Sequence, residues 1–136
     1  MSHVFNPHVT DTENAYALKA LLDCLVNINR AYLRTHRVLR LRSSGVRYER
    51  TKKWYPIPTL YERGLGDCKS LTGALVAEYL IQGIECRPVF RFAKKRDGGL
   101  MFHILVEIPQ KNGVKGTLYE DPSRELGMNA HELSYF

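Results

Sequence analysis

Between Gly66 and Gly83 the chain reads DCKSLTGALVAEYLIQ, and this stretch limits the possible folds more than any other. Cys68, Leu71, Leu75 and Tyr79 step by three, four and four, so a helix over 67 to about 82 places them on one face. Asp67 supplies an N-cap and Gly83 a C-cap. An apolar helical face must pack on something, and strand-like segments follow at once. IECRPVFRFA, 84–93, alternates Arg87, Val89 and Arg91 with Cys86, Pro88, Phe90 and Phe92. Pro88 has no N–H to give a ladder, which points to an edge strand or a bulge. KKRDGG is a turn, and MFHILVEI, 101–108, is a second strand. Its Phe102, Ile104, Val106 and Ile108 share one face, with Met101, His103, Leu105 and Glu107 on the other. PQKNGVKG turns again, and TLYED forms a third strand that Pro122 stops. Asp121, before that proline, is biased to extended backbone. The remainder, to Phe136, wraps the surface or starts a short helix.

Upstream, residues 11–36 read as a long helix capped by Asp11 or Thr12. Its stripe is Ala15, Leu18, Leu21, Leu22, Leu25, Ile28 and Tyr32, and Cys24 is expected as a small core residue beside it. Residues 43–66 contain SSG, YPIP and RGLG. Pro56 and Pro58 argue against a regular helix, so a loop-rich connector is expected to carry Trp54, Tyr55 and Tyr61 over the core. Helix, connector, helix and three antiparallel strands make an α+β domain, with the cysteine-bearing helix on a small sheet.

Composition narrows the setting. A chain of 136 residues, 44% hydrophobic, suits one domain with one core. The sequence has no run of eighteen apolar residues and no apolar leader in MSHVFNPHVTDTEN, so neither a membrane span nor a signal peptide is expected. The expected location is a reducing cytoplasm. Cys24, Cys68 and Cys86 are odd in number, and their spacings of 44 and 18 fit no zinc pattern, so neither metal nor cofactor is expected. The formal charge of +6 is uneven: nine Lys or Arg and one acid, Glu49, lie between Arg30 and Lys53. That block reads first as a solvated basic face. Phosphate contact with nucleic acid through residues 30–53, with Trp54 and Tyr55 stacking on bases, is a weaker reading, because no recognised nucleic-acid motif accompanies it.

Three residues form a chemical set by their order and their elements: Cys68 at a helix start, His103 within a strand, and Asp121 at the end of the next strand. Helix N-termini favour a thiolate, a neighbouring imidazole can take the thiol proton, and a carboxylate can fix the imidazole's tautomer. Neighbouring antiparallel strands can set His103 beside Asp121. The Cys68 N–H is a natural oxyanion donor, and Trp54 or Tyr61 could add a side-chain donor.

RGLGDCKSLTGALVAEYLIQGIECRPVFRF, FHILVEI and YEDPSRELGM, in that order, resemble the transglutaminase-like superfamily, most of all its small bacteriophage-encoded members. The resemblance covers roughly 45–128, so that a single domain over 1–136 divides into a helical segment, 1–42, and a core, 43–128. It implies a papain-like core in which Cys68 is the nucleophile, His103 the general base and acid, and Asp121 the orienting group. It also implies attack on a peptide or protein amide through a thioester. In that pattern an acid follows the cysteine, whereas here Lys69 does. Two roles stay open: a cysteine amidase, peptidase or acyl transferase, or a virion structural component that keeps the fold as a scaffold among neighbouring phage proteins.

Overall fold

The computed structural model describes residues 11–94, 96–109 and 116–133. The expected turn at 109–116 falls mainly outside these residues. Nothing is described before Asp11, where the first helix, α1 (Asp11–Thr35), begins.

Leu18, Leu22, Leu25, Val26 and Asn29 form the buried stripe of α1. The helical period is as expected, but its centre is shifted: Ile28 is exposed and Asn29 is wholly buried. Cys24 is also exposed, which corrects its expected place in the core. It sits one position before Leu25, and the stripe is too narrow to include it.

The connector holds more structure than its prolines suggested. A 3-10 turn (Leu41–Ser43) is followed by β1 (Arg47–Tyr48), α2 (Ile57–Arg63) and β2 (Leu65–Gly66). The expectation of no helix here is overturned. Pro56 stands at the N-cap of α2 and Pro58 in its first turn, where no intrahelical N–H is needed, so both are compatible with a helix start. Gly64, at φ 73°, ends α2, its N–H donating to the Leu60 carbonyl. Ile57 and Leu60 enter the core with no exposure. Short parallel pairing sets Arg47 against Leu65 and Tyr48 against Gly66, which delivers the chain to Asp67.

The central element is α3 (Cys68–Ile81). Asp67 caps it as expected, accepting from the Lys69 N–H. Gly83, at φ 81°, follows its end. Every residue from Cys68 to Ala77 is buried, so the helix is enclosed on all sides rather than laid down by one face. α1 comes close to α3 at Gly73, where a Cβ would stand 2.9 Å from Leu25 Cδ2.

The sheet is antiparallel in the order β3 (Arg87–Lys94), β4 (Leu100–Pro109), β5 (Thr117–Glu120). β3 is an edge strand, as Pro88 suggested. Residues 103–106 of β4 are buried on both faces. Ile104 and Val106 join the helical core, while His103 and Leu105 lie on the other face. There the Arg91 guanidinium sits 5.5 Å from the Tyr119 ring. Arg91 is opposite His103 and Tyr119 opposite Glu107, so this pair spans the Leu105 position between them. Two four-residue helices follow, α4 (Pro122–Glu125) and α5 (Ala130–Leu133). Arg42 reaches Glu120 at 2.6 Å, Glu125 at 2.7 Å and the Tyr79 hydroxyl at 2.8 Å. It thereby fixes both sides of the junction that carries Asp121, and it is one cation of the basic block that faces protein rather than solvent alone. Among the described residues, no helix is long and apolar enough to cross a membrane.

Candidate active site

The sheet register brings His103 and Asp121 together. β5 pairs with β4 from Val106 onward, with Glu120 opposite Val106. One residue further, Asp121 falls beside Leu105, on the face that His103 shares. The His103 Nε2 to Asp121 Oδ2 distance is 2.8 Å. Asp121 Oδ1 also accepts the Arg124 N–H at 3.1 Å, as the cap of α4. The carboxylate is therefore fixed on both oxygens, one holding a helix start and one the imidazole. His103 itself is 2% exposed. With Nε2 on the carboxylate, Nδ1 is the nitrogen through which the ring can exchange a proton with a third group.

Cys68 reaches the same strand through its edge. Before Val106, β4 has no β5 residue opposite it, and α3 takes up the Ile104 backbone instead. The Thr72 hydroxyl donates to the Ile104 carbonyl at 3.3 Å. One helical turn earlier, Cys68 packs in one buried cluster with Ile104. The thiol thus packs with the residue next to His103. Burial pushes the Cys68 thiol far above its ordinary value. The Asp67 and Asp121 carboxylates push it the same way, while the Lys69 ammonium and the Ile104 N–H pull it down. The sequence suggested a thiolate favoured by the helix start and by Lys69. In the enclosed site desolvation outweighs both, and the resting group is a thiol.

Lys69 is the least expected feature. It is 4% exposed, although it is an ammonium-bearing residue next to the cysteine. Its Nζ donates to the Asp67 carboxylate and, at 3.0 Å, to the Thr51 carbonyl. The ammonium lies 5.6 Å from the Trp54 ring centre and 5.9 Å from that of Phe102. Ser70 adds a second tether, accepting the Tyr55 N–H at 2.9 Å. Residues 51–55 are thus strapped to the first turn of α3, and Trp54 shares a buried cluster with Cys68 and Ile104. Trp54 Nε1 is shielded from solvent and has no acceptor among the described residues. The Tyr61 hydroxyl, the other donor considered, is spent on the Leu39 carbonyl at 2.8 Å.

Two further groups were not singled out from the sequence. Tyr48, brought alongside Gly66 by β1, has a hydroxyl that burial and the nearby Glu132 carboxylate hold well above the usual tyrosine range. Cys68 and Asp67 contribute to that shift. No local pattern connects Tyr48 with Glu132. The spacing of Cys68 and Thr72, by contrast, could have shown that both address one point on a neighbouring element. Cys86 is buried, its thiol directed at the Val76 carbonyl at 3.8 Å. A hollow of about 310 Å³ is lined by Glu49, Thr51, Tyr55, Arg63 and Leu65, along the strap and the approach to Asp67.

A helix that begins at a cysteine, packed against an antiparallel sheet bearing a hydrogen-bonded His–Asp pair, defines an α+β protein of the thiol-site class. The model of the transglutaminase-like superfamily matches residues 22–114, well over half the chain, and the chain belongs to that superfamily. The match includes Cys68 and His103 and ends before Asp121. Neither the curated proteins nor the solved structures gave a match.

Proposed function

We propose that this chain is a cysteine amidase or acyl transferase in which Cys68 is the nucleophile, His103 the general base and acid, and Asp121 the group that orients His103. The observation that carries the reading is the buried 2.8 Å His103–Asp121 contact on a strand whose Ile104 shares a buried cluster with Cys68. Because the resting group is a thiol, the reaction begins with transfer of its proton to His103 as the acyl substrate enters. The sulfur then bonds to the amide carbonyl carbon, and negative charge develops on the carbonyl oxygen. The Cys68 N–H and the unpartnered Trp54 Nε1–H are the donors available to that oxygen. His103 returns its proton to the leaving nitrogen as the C–N bond breaks, leaving a thioester and a free amine. Water or a second amine then attacks the thioester, its proton passing to His103, and the thiol is regenerated. A peptide or protein amide is the substrate class that the superfamily suggests.

p-Nitrophenyl acetate, a generic acyl donor, tests this without a known substrate. The expected result is a burst of nitrophenolate with the acetyl group mapped to Cys68. The burst is lost in Cys68→Ala and slowed roughly 100-fold or more in Asp121→Asn. A wild-type protein that is acetylated no faster at Cys68 than at exposed Cys24 would overturn the reading.

The 7% exposure of Cys68 favours a second reading. A cysteine buried in one cluster with Trp54 also suits a phage-encoded virion component that retains the fold as a scaffold. Stoichiometric recovery of the chain from purified particles, together with an unreactive Cys68, would decide for it.

A further inference from the structure

Two awkward groups stand together beside Cys68: a buried ammonium and a buried indole N–H without an acceptor among the described residues. Packing alone explains neither, since a methionine at 69 would fill the same length without desolvating a charge. The Lys69 ammonium is held by the Asp67 carboxylate and the Thr51 carbonyl, and it lies over the Trp54 ring. A cation on the face of an indole draws π density from the ring and makes its N–H a stronger donor. The contacts at Thr51 and at Tyr55 fix the chain on both sides of Trp54.

We propose that Lys69 is a positioning residue for acylation at Cys68, acting through Trp54: it pins the strap at residues 51–55 and polarises the indole whose Nε1–H meets the developing oxyanion. The catalytic half of this inference rests on the acyl-transfer reading above; the positional half does not.

Trp54 is the chain's single tryptophan, so its fluorescence reports the strap alone. Acrylamide quenching is measured on the full-length wild type and on Lys69→Met, with a thermal melt confirming that the variant folds. Lys69→Gln takes its place should the methionine variant not fold. The expected result is a several-fold rise in the quenching constant. An unchanged constant would overturn the proposal, because Lys69 would then not hold the indole. Acylation of Cys68 by p-nitrophenyl acetate is the second readout. Lys69→Met is expected to slow it roughly 10- to 100-fold. The double variant Lys69→Met/Trp54→Phe is expected to be no slower than Trp54→Phe alone, since both act through one group. Multiplying effects would show that Lys69 works independently of Trp54 and would overturn the proposal. A wild type that is not acylated at Cys68 refutes the acyl-transfer reading and with it the catalytic half, while the quenching result still decides the positional half.

Discussion

Gly66→Ala is a sharp test of how the turn that carries Cys68 is built. A Cβ at Gly66 would stand 2.5 Å from Leu60 Cδ1 and 3.2 Å from Ser70 Cβ. Carbon atoms rest at about 3.5–4.0 Å, so Leu60 must retreat by roughly 1 Å. Leu60 has no exposure, and the Ser70 Cβ is fixed to the backbone of α3, so neither neighbour yields easily. Overpacking of this kind costs about 1–3 kcal/mol. The alanine also restricts the unfolded chain, which returns about 0.4–1 kcal/mol. The net expectation is a loss of roughly 1–2 kcal/mol, or about 3–8 °C in Tm for a chain this size. Gly73→Ala is the internal control. Its new Cβ would meet Leu25 Cδ2 at 2.9 Å and Cγ at 3.1 Å, a milder clash than the 2.5 Å at Gly66, and helix propensity favours alanine by about 1 kcal/mol. That variant is expected to stay within about 1 kcal/mol of wild type. Thermal melts of the three proteins decide the matter. A Gly66→Ala protein that melts at or above wild type, or a larger loss at Gly73, would refute the steric argument.

Two further variants test the surroundings of the site. Burial raises the Glu78 carboxyl, although the Leu41 N–H and the charges of Arg40 and Arg42 pull it down. A carboxyl raised in the fold contributes stability that is full below its unfolded value, about 4.3, and is lost as pH rises through the folded value. Glu78→Gln, which can still accept the Leu41 N–H, should therefore gain on wild type in Tm between pH 4 and pH 7; parallel curves would contradict this. Asn29 accepts the Ile57 N–H at 2.8 Å in a fully buried position. Asn29→Ala strands that donor and should cost about 1–3 kcal/mol, read as a lower urea midpoint at unchanged m. A midpoint equal to wild type would show that the start of α2 does not depend on it.

The elements that were legible in the sequence were those with a local cause. Asp67 caps α3 because an acid before a helical period satisfies the first-turn N–H groups, and the structure shows that contact. The three strands follow period-two alternation between turn residues, and they lie within a few residues of where they were read. The misreadings came where one local rule met a second. Pro56 and Pro58 suggest a break, yet proline breaks a helix only in its interior, and these two sit at a start. Cys24 was given to the core because periodicity fixes a helix's face only to within a residue, and the exact face depends on what α3 presents at Gly73.

The sequence by itself determined the order of the main elements on either side of the connector, the helix start that carries Cys68, and the strand that carries His103. Each follows from capping chemistry or side-chain period, which act over a few residues. Only the tertiary structure decided that His103 and Asp121 meet, because strand register depends on pairing across a turn rather than on either strand alone. It also decided that Cys68 rests as a thiol and that Lys69 is buried against Trp54. Both depend on desolvation, and desolvation is set by everything that packs around a group.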